Sequence, residues 1–124
     1  MNLEWKITPM GAPRANRSDA WRKRPVILKY YKFRDDVNSE MKKIEFPWKS
    51  LETLIVDFFI PMPKSWSAKK VLAMNNTPHQ QKPDIDNLTK ALLDSIFRDG
   101  DDCRVYDIKA RKFWAGEGSI GITL

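Results

Sequence analysis

The chain has 124 residues, 42% of them hydrophobic and 31% charged, with five tryptophans and a formal net charge of +6. Those values point to one globular domain over residues 1–124 with its own core, exclude a disordered chain, and favour a polyanionic partner. The single cysteine, Cys103, excludes an internal disulfide, and with no signal-peptide pattern or apolar run of membrane length the expectation is a cytoplasmic protein with no membrane partner.

The residues Leu3-Glu4-Trp5-Lys6-Ile7 alternate and predict a short strand, ended by Met10-Gly11-Ala12-Pro13. A basic, irregular segment follows, with Arg14, Arg17, Arg22, Lys23 and Arg24 suited to neutralising phosphates. Trp21 within it either stacks on a base or packs into the core. Pro25 suits the first position of a helix. Val26, Leu28 (or Ile27), Tyr30, Tyr31, Phe33, Val37 and Met41 then form a core-facing stripe through roughly residue 42.

Residues 51–60 are rich in β-branched and aromatic side chains and predict the central strand, which Pro61 and Pro63 stop. Ser65 is placed to cap a short helix over residues 66–74, with Lys69 and Lys70 on its outer side. Residues 75–81 read as a polar loop holding the only histidine, His79. A histidine so placed is more often incidental than a ligand, and its nearness to Asp84 leaves a substrate contact open.

The stretch Lys82-Pro83-Asp84-Ile85-Asp86-Asn87-Leu88-Thr89-Lys90 carries the chemistry. Pro83 biases Lys82 toward an extended backbone. Leu88, Leu92 and Ile96 then repeat at helical spacing, with Asp86 or Asn87 as the expected cap. Lys90 would lie one turn above Asp86 on the polar face. After Phe97-Arg98-Asp99-Gly100, a turn, Asp101-Asp102 lead into the alternating residues 104–114, which predicts a strand that returns Asp102 beside Asp84 and Asp86.

Carboxylates gathered that closely repel by on the order of 4 kcal/mol per pair at about 4 Å and an effective dielectric of ~20. They must take up protons or bind a cation. An all-oxygen set suits Mg²⁺ or Mn²⁺. A lysine beside such an ion can orient a water or stabilise charge on a phosphate, which reads as a phosphodiesterase site. Singly, each of these features is ordinary turn, cap or surface chemistry; their combination is not.

Residues 104–114 and 119–124 are expected to form a hairpin across Ala115-Gly116-Glu117-Gly118. Lys112 falls in the same alternating phase as Asp102, which would place it on the catalytic side of the sheet. The predicted order is β-α-β-α-α-β-β, a single small mixed α/β (α+β) domain with a sheet of about four strands covered by helices.

The run from Lys82 to Asp94, followed by Asp101-Asp102-Cys103-Arg104-Val105 and later Lys112, resembles the RusA family of Holliday junction resolvases, small endonucleases common in bacteriophages and prophages. The similarity is weaker over Pro61-Met62-Pro63-Lys64-Ser65-Trp66-Ser67, and Arg104 stands where the family commonly has glutamine. The resemblance implies that Asp84, Asp86 and Asp102 are metal-binding catalytic aspartates and Lys90 the catalytic lysine, with a lesser ligand or supporting role for Asp101. It implies a Mg²⁺-dependent crossover junction endodeoxyribonuclease of recombination and repair, with Mn²⁺ substituting, in a bacterial host and encoded by a phage or prophage. Paired nicks at a four-way junction call for a homodimer, an arrangement the family also implies. Arg14, Arg17, Arg22, Lys23, Arg24, Lys69, Lys70 and Lys112 are the expected DNA contacts. Nucleases for flaps or forks, and a non-catalytic binder of branched DNA, are the alternative readings.

Overall fold

The structure is a computed structural model describing residues 1–14, 24–98, 100 and 102–124, with Asp102 described by its backbone alone. The elements follow the expected order: β1 (Asn2–Trp5), α1 (Pro25–Lys42), β2 (Thr53–Pro61), α2 (Ala68–Met74), α3 (Ile85–Ile96), β3 (Asp107–Ala115) and β4 (Ser119–Thr123). Short 3₁₀ turns occupy Trp48–Ser50 and Asp102–Arg104.

The four strands form one sheet in the order β1-β4-β2-β3. β2 pairs with β3 in parallel, Phe58 opposite Lys112 and Ile60 opposite Trp114. β4 runs antiparallel to both β2 and β1. The predicted hairpin between the last two strands is therefore replaced by a crossing: β2 lies between them. Ala115 ends opposite Pro61 and Ser119 begins opposite Phe59, so residues 116–118 carry the chain across the end of β2. Alternation identifies a strand without naming its neighbour, and the strongly apolar β2 takes a partner on each edge.

One face of the sheet is dry. Leu54, Val56, Phe58 and Ile60 of β2 are buried there with Trp114, Ile120 and Ile122. They share one core with Tyr30, Phe33 and Val37 of α1 and Leu88, Ala91 and Leu92 of α3. The alternate positions, among them Ile55 and Phe59, face away from that core.

Other boundaries moved for local reasons. β1 stops at Trp5 because the Ile7 amide turns back to the Trp5 carbonyl at 2.8 Å, which takes the chain out of the sheet. α1 keeps its predicted bounds with Pro25 in its first turn, but its buried side chains are Ile27, Tyr30, Phe33 and Val37. Val26, Leu28 and Tyr31 are exposed, so the apolar stripe is narrower than expected. α2 starts after Ser67, not Ser65, since the Ser67 hydroxyl accepts the Lys70 amide at 3.2 Å while the Trp66 amide closes a turn on the Pro63 carbonyl. No described helix is long and apolar enough to cross a membrane.

Candidate functional site

The residues leading into α3 are stitched to β3. The Asn76 amide donates to the Trp114 carbonyl, the Trp114 amide to Thr77, and the His79 amide to the Lys112 carbonyl at 3.0 Å. The expected polar loop is thus laid against the sheet, and His79 is buried. Its ring centroid lies 4.2 Å from that of Trp114. Burial, and then the positive charge of Lys112, push the His79 imidazole below its usual 6.5. Its Nδ1 finds no hydrogen-bond partner among the described residues.

Beyond His79 the Lys112 ammonium takes over. Its Nζ donates to the Gln81 carbonyl at 2.6 Å and to the Pro83 carbonyl at 2.8 Å. Two of its three N–H groups are therefore occupied inside the protein.

Asp84 follows as the cap of α3, with extended backbone at φ −70° and ψ 149°. The cap sits two or three residues earlier than Asp86 or Asn87, because the restriction from Pro83 falls on Lys82 and leaves Asp84 free to open the helix. The Leu88 amide accordingly bonds the Asp84 carbonyl at 3.0 Å. The Asp84 carboxylate makes no capping hydrogen bond, and it is in no ion pair among the described residues. Asp86 sits in the first turn, where negative charge complements the helix dipole, and its Oδ1 accepts the Asn87 amide at 2.8 Å. Gly11 presses against the Asn87 side chain from the N-terminal side; a Cβ there would collide with its amide.

An open groove of about 480 Å³ runs between α3 and β3. Ile85, Asp86, Lys90 and Asp94 line the helix side, Ile108 and Ala110 the strand side. Asp86 and Lys90 share this wall, as their spacing predicts. Lys90, however, pairs forward: its Nζ lies 3.1 Å from Asp94 Oδ2. Asp94 also accepts the Tyr30 hydroxyl at 3.4 Å. Burial, with the nearby Asp94 charge, raises the Tyr30 phenol. Sequence reasoning passed over Asp94, although its position four residues after Lys90 was the available signal.

Asp102 opens a 3₁₀ turn and not a strand, since β3 starts only at Asp107. The Asp102 side chain and all of Asp101 lie outside the described residues, as do Arg17, Trp21, Arg22 and Lys23. Among the described residues no three acids, histidines or cysteines gather as a metal site. The described pair still has the right chemistry: Asp84 and Asp86 are exposed oxygen donors in no ion pair among the described residues, which suits a hard divalent cation.

Of the expected DNA contacts, Arg14 is exposed and its carbonyl receives the Arg24 guanidinium at 2.6 Å. Lys69 and Lys70 are exposed on α2, with the Lys70 ammonium 4.2 Å from the Trp66 ring centroid.

No curated protein matches the chain. The family model for endodeoxyribonuclease RusA matches residues 4–124, nearly the whole length, and the chain belongs to the RusA family of endodeoxyribonucleases.

Proposed function

We propose that this chain is a Mg²⁺-dependent, structure-selective endodeoxyribonuclease that resolves four-way DNA junctions by paired symmetric nicks. In this reading it works in recombination and repair, as a homodimer in the cytoplasm of a bacterial host, encoded by a phage or prophage. The observation that carries the reading is the head of α3. Two exposed carboxylates, Asp84 and Asp86, in no ion pair among the described residues, stand at its first turn, and Lys90 one turn on lines an open groove with Asp86.

Asp84, Asp86 and Asp102 would hold the ion, with Asp101 as a further ligand or support and Mn²⁺ as a substitute. Bound there, the ion supplies Lewis-acid polarisation of a phosphoryl oxygen and a more acidic water. The chain's own part is placement. α3 fixes the acids through Leu88 and Leu92, both fully buried. Lys90 brings a positive charge to the groove, where charge on the scissile phosphate develops. Phosphates farther along the arms fall to the basic set Arg14, Arg17, Arg22, Lys23, Arg24, Lys69 and Lys70. The acids locally repel DNA while the +6 chain attracts it, so Asp84, Asp86 and Asp102 would need their charge offset by a bound cation before a phosphate could approach.

The test is cleavage of a synthetic mobile four-way junction, beside linear duplex, a flap and a fork, with Mg²⁺ and with EDTA. Paired nicks at the junction only with metal are expected. Asp86→Asn should abolish cutting and leave junction binding largely intact; loss of both together would make Asp86 a structural residue. Equal cutting of flaps or forks would widen the substrate to branched DNA. Binding without cutting in the native chain would overturn the nuclease reading and leave a branched-DNA binder.

A further inference from the structure

We infer that Lys112 is a positioning residue for the Asp84 and Asp86 carboxylates, clamping the segment that presents them to the sheet, and is not a phosphate contact. The inference rests on the reading of those acids as the metal-binding pair. Residue 112 holds the segment at three points: its carbonyl accepts the His79 amide, and its ammonium donates to the carbonyls of Gln81 and Pro83. Between His79 and the first turn of α3 the described residues donate no backbone hydrogen bond to another backbone group, so the two bonds from Lys112 Nζ tie this stretch to the sheet. Pro83 has no amide to offer, which leaves its carbonyl as the handle.

The clamp has a fixed base. Lys112 stands opposite Phe58, which is fully buried in β2. A rigid path therefore runs from the core strand through the Lys112 side chain to the Pro83 carbonyl, one residue from Asp84. Hydrogen bonds from an ammonium are stronger than those between neutral groups, so a charged side chain is used to hold a stretch whose Gln81 and Lys82 are otherwise exposed. Such a partner orients metal-binding side chains without touching the ion. Burial, and then the Lys112 charge, lower the His79 pKa, which favours its neutral form beside the ammonium.

The experiment compares the full-length native chain with Lys112→Met, Lys112→Arg and Lys112→Gln. It reads amide hydrogen exchange by mass spectrometry, Mn²⁺ affinity by calorimetry, and junction affinity in EDTA across a salt series. Lys112→Met should raise exchange at the His79 and Leu88 amides, which bond the Lys112 and Asp84 carbonyls, while β2 and α1 stay protected. It should weaken Mn²⁺ binding about 10–100-fold, the usual effect of removing a residue that orients metal ligands. Metal-free junction affinity and its salt slope should stay unchanged, and Lys112→Arg should recover part of the Mn²⁺ affinity. Unchanged exchange at the His79 and Leu88 amides overturns the clamp. So does a fall in junction affinity with a shallower salt slope, which would make Lys112 a phosphate contact. Exchange raised through β2 as well makes it a general structural residue, and Lys112→Gln decides the matter if methionine prevents folding. A native chain that takes up no Mn²⁺ sinks the metal reading of the acids alone; the exchange comparison still decides the clamp.

Discussion

Lys90 and Asp94 form an ion pair along the wall of the groove, Nζ to Oδ2 at 3.1 Å, which draws the ammonium away from Asp86 and toward the C-terminal end of α3. The two side chains are 65% and 34% exposed. A pair so placed, with the lysine on the N-terminal side, is worth at most ~0.3–0.5 kcal/mol. That is a light tether, one an arriving phosphate can outbid. Asp94→Asn should therefore leave single-turnover cleavage within about threefold, whereas Lys90→Met should lower it about 10²–10³-fold, as for loss of one transition-state donor. Urea unfolding should show both variants folded. The reverse ranking would move the functional role to Asp94.

The anchoring of α3 was legible because Leu88, Leu92 and Ile96 repeat at helical spacing and have no polar alternative; all three are buried. The same holds for α1, whose proline start and core positions Tyr30, Phe33 and Val37 agree with one period. Strand adjacency was not legible. Residues 108, 110 and 112 alternate in the same way whether they pair with β4 or, as they do, with β2, and that choice is made by contacts far away in the chain. His79 shows the same limit: its neighbours in sequence are polar, and its burial depends on Trp114. The placing of Asp86 and Lys90 on one wall of the groove was legible from their spacing. The lack of a capping bond from the Asp84 carboxylate and the forward pairing of Lys90 depend on where the helix begins and on side-chain geometry, which spacing alone leaves open.

His79 gives the protein a pH dependence of known sign. The imidazole lies below 6.5 in the folded chain and near 6.5 in the unfolded one. Between the folded value and 6.5 the unfolded chain binds more proton, so stability falls as pH drops below 6.5 and levels off beneath the folded value. The melting temperature of the native chain should fall faster than that of His79→Gln between about pH 7 and pH 5, since the carboxylates titrate alike in both. Parallel curves would show that His79 takes up its proton as readily in the fold as in the unfolded chain. The chain has one histidine, so its imidazole NMR signal can be followed without assignment.

Gly118 sits where the chain crosses the end of β2, and a Cβ added there would lie 2.8 Å from Thr8 Cα. That neighbour is backbone and cannot swing aside. Gly118→Ala should cost about 1–3 kcal/mol, the range for forced overpacking. Gly116 is the internal control: a Cβ there meets nothing within 4 Å, so Gly116→Ala should change stability by under about 1 kcal/mol. Urea midpoints of the two variants check the contrast, and equal midpoints would mean the crossing loop is looser than its packing on Thr8 implies.

The proposed homodimer needs a surface, and the sheet face turned away from the core offers apolar area. Ile55 is 41% exposed there, and Phe59 and Phe113 stack with centroids 5.8 Å apart. Between them Asp57 and Arg111 bond through both carboxylate oxygens at 2.8 and 2.9 Å, while Glu4, Asp107 and Lys109 are further exposed charges on this face. A second copy meeting this face would cover its aromatic surface with those charges at the rim, and a twofold axis would present two sets of acids to opposed strands of a junction. Phe59→Glu places an unpaired carboxylate in that contact. It should shift the sedimentation coefficient from dimer to monomer and turn paired nicks into single, uncoupled ones, while Mn²⁺ affinity stays unchanged because α3 lies on the other side of the sheet. A variant that still sediments as a dimer would place the interface elsewhere on the chain.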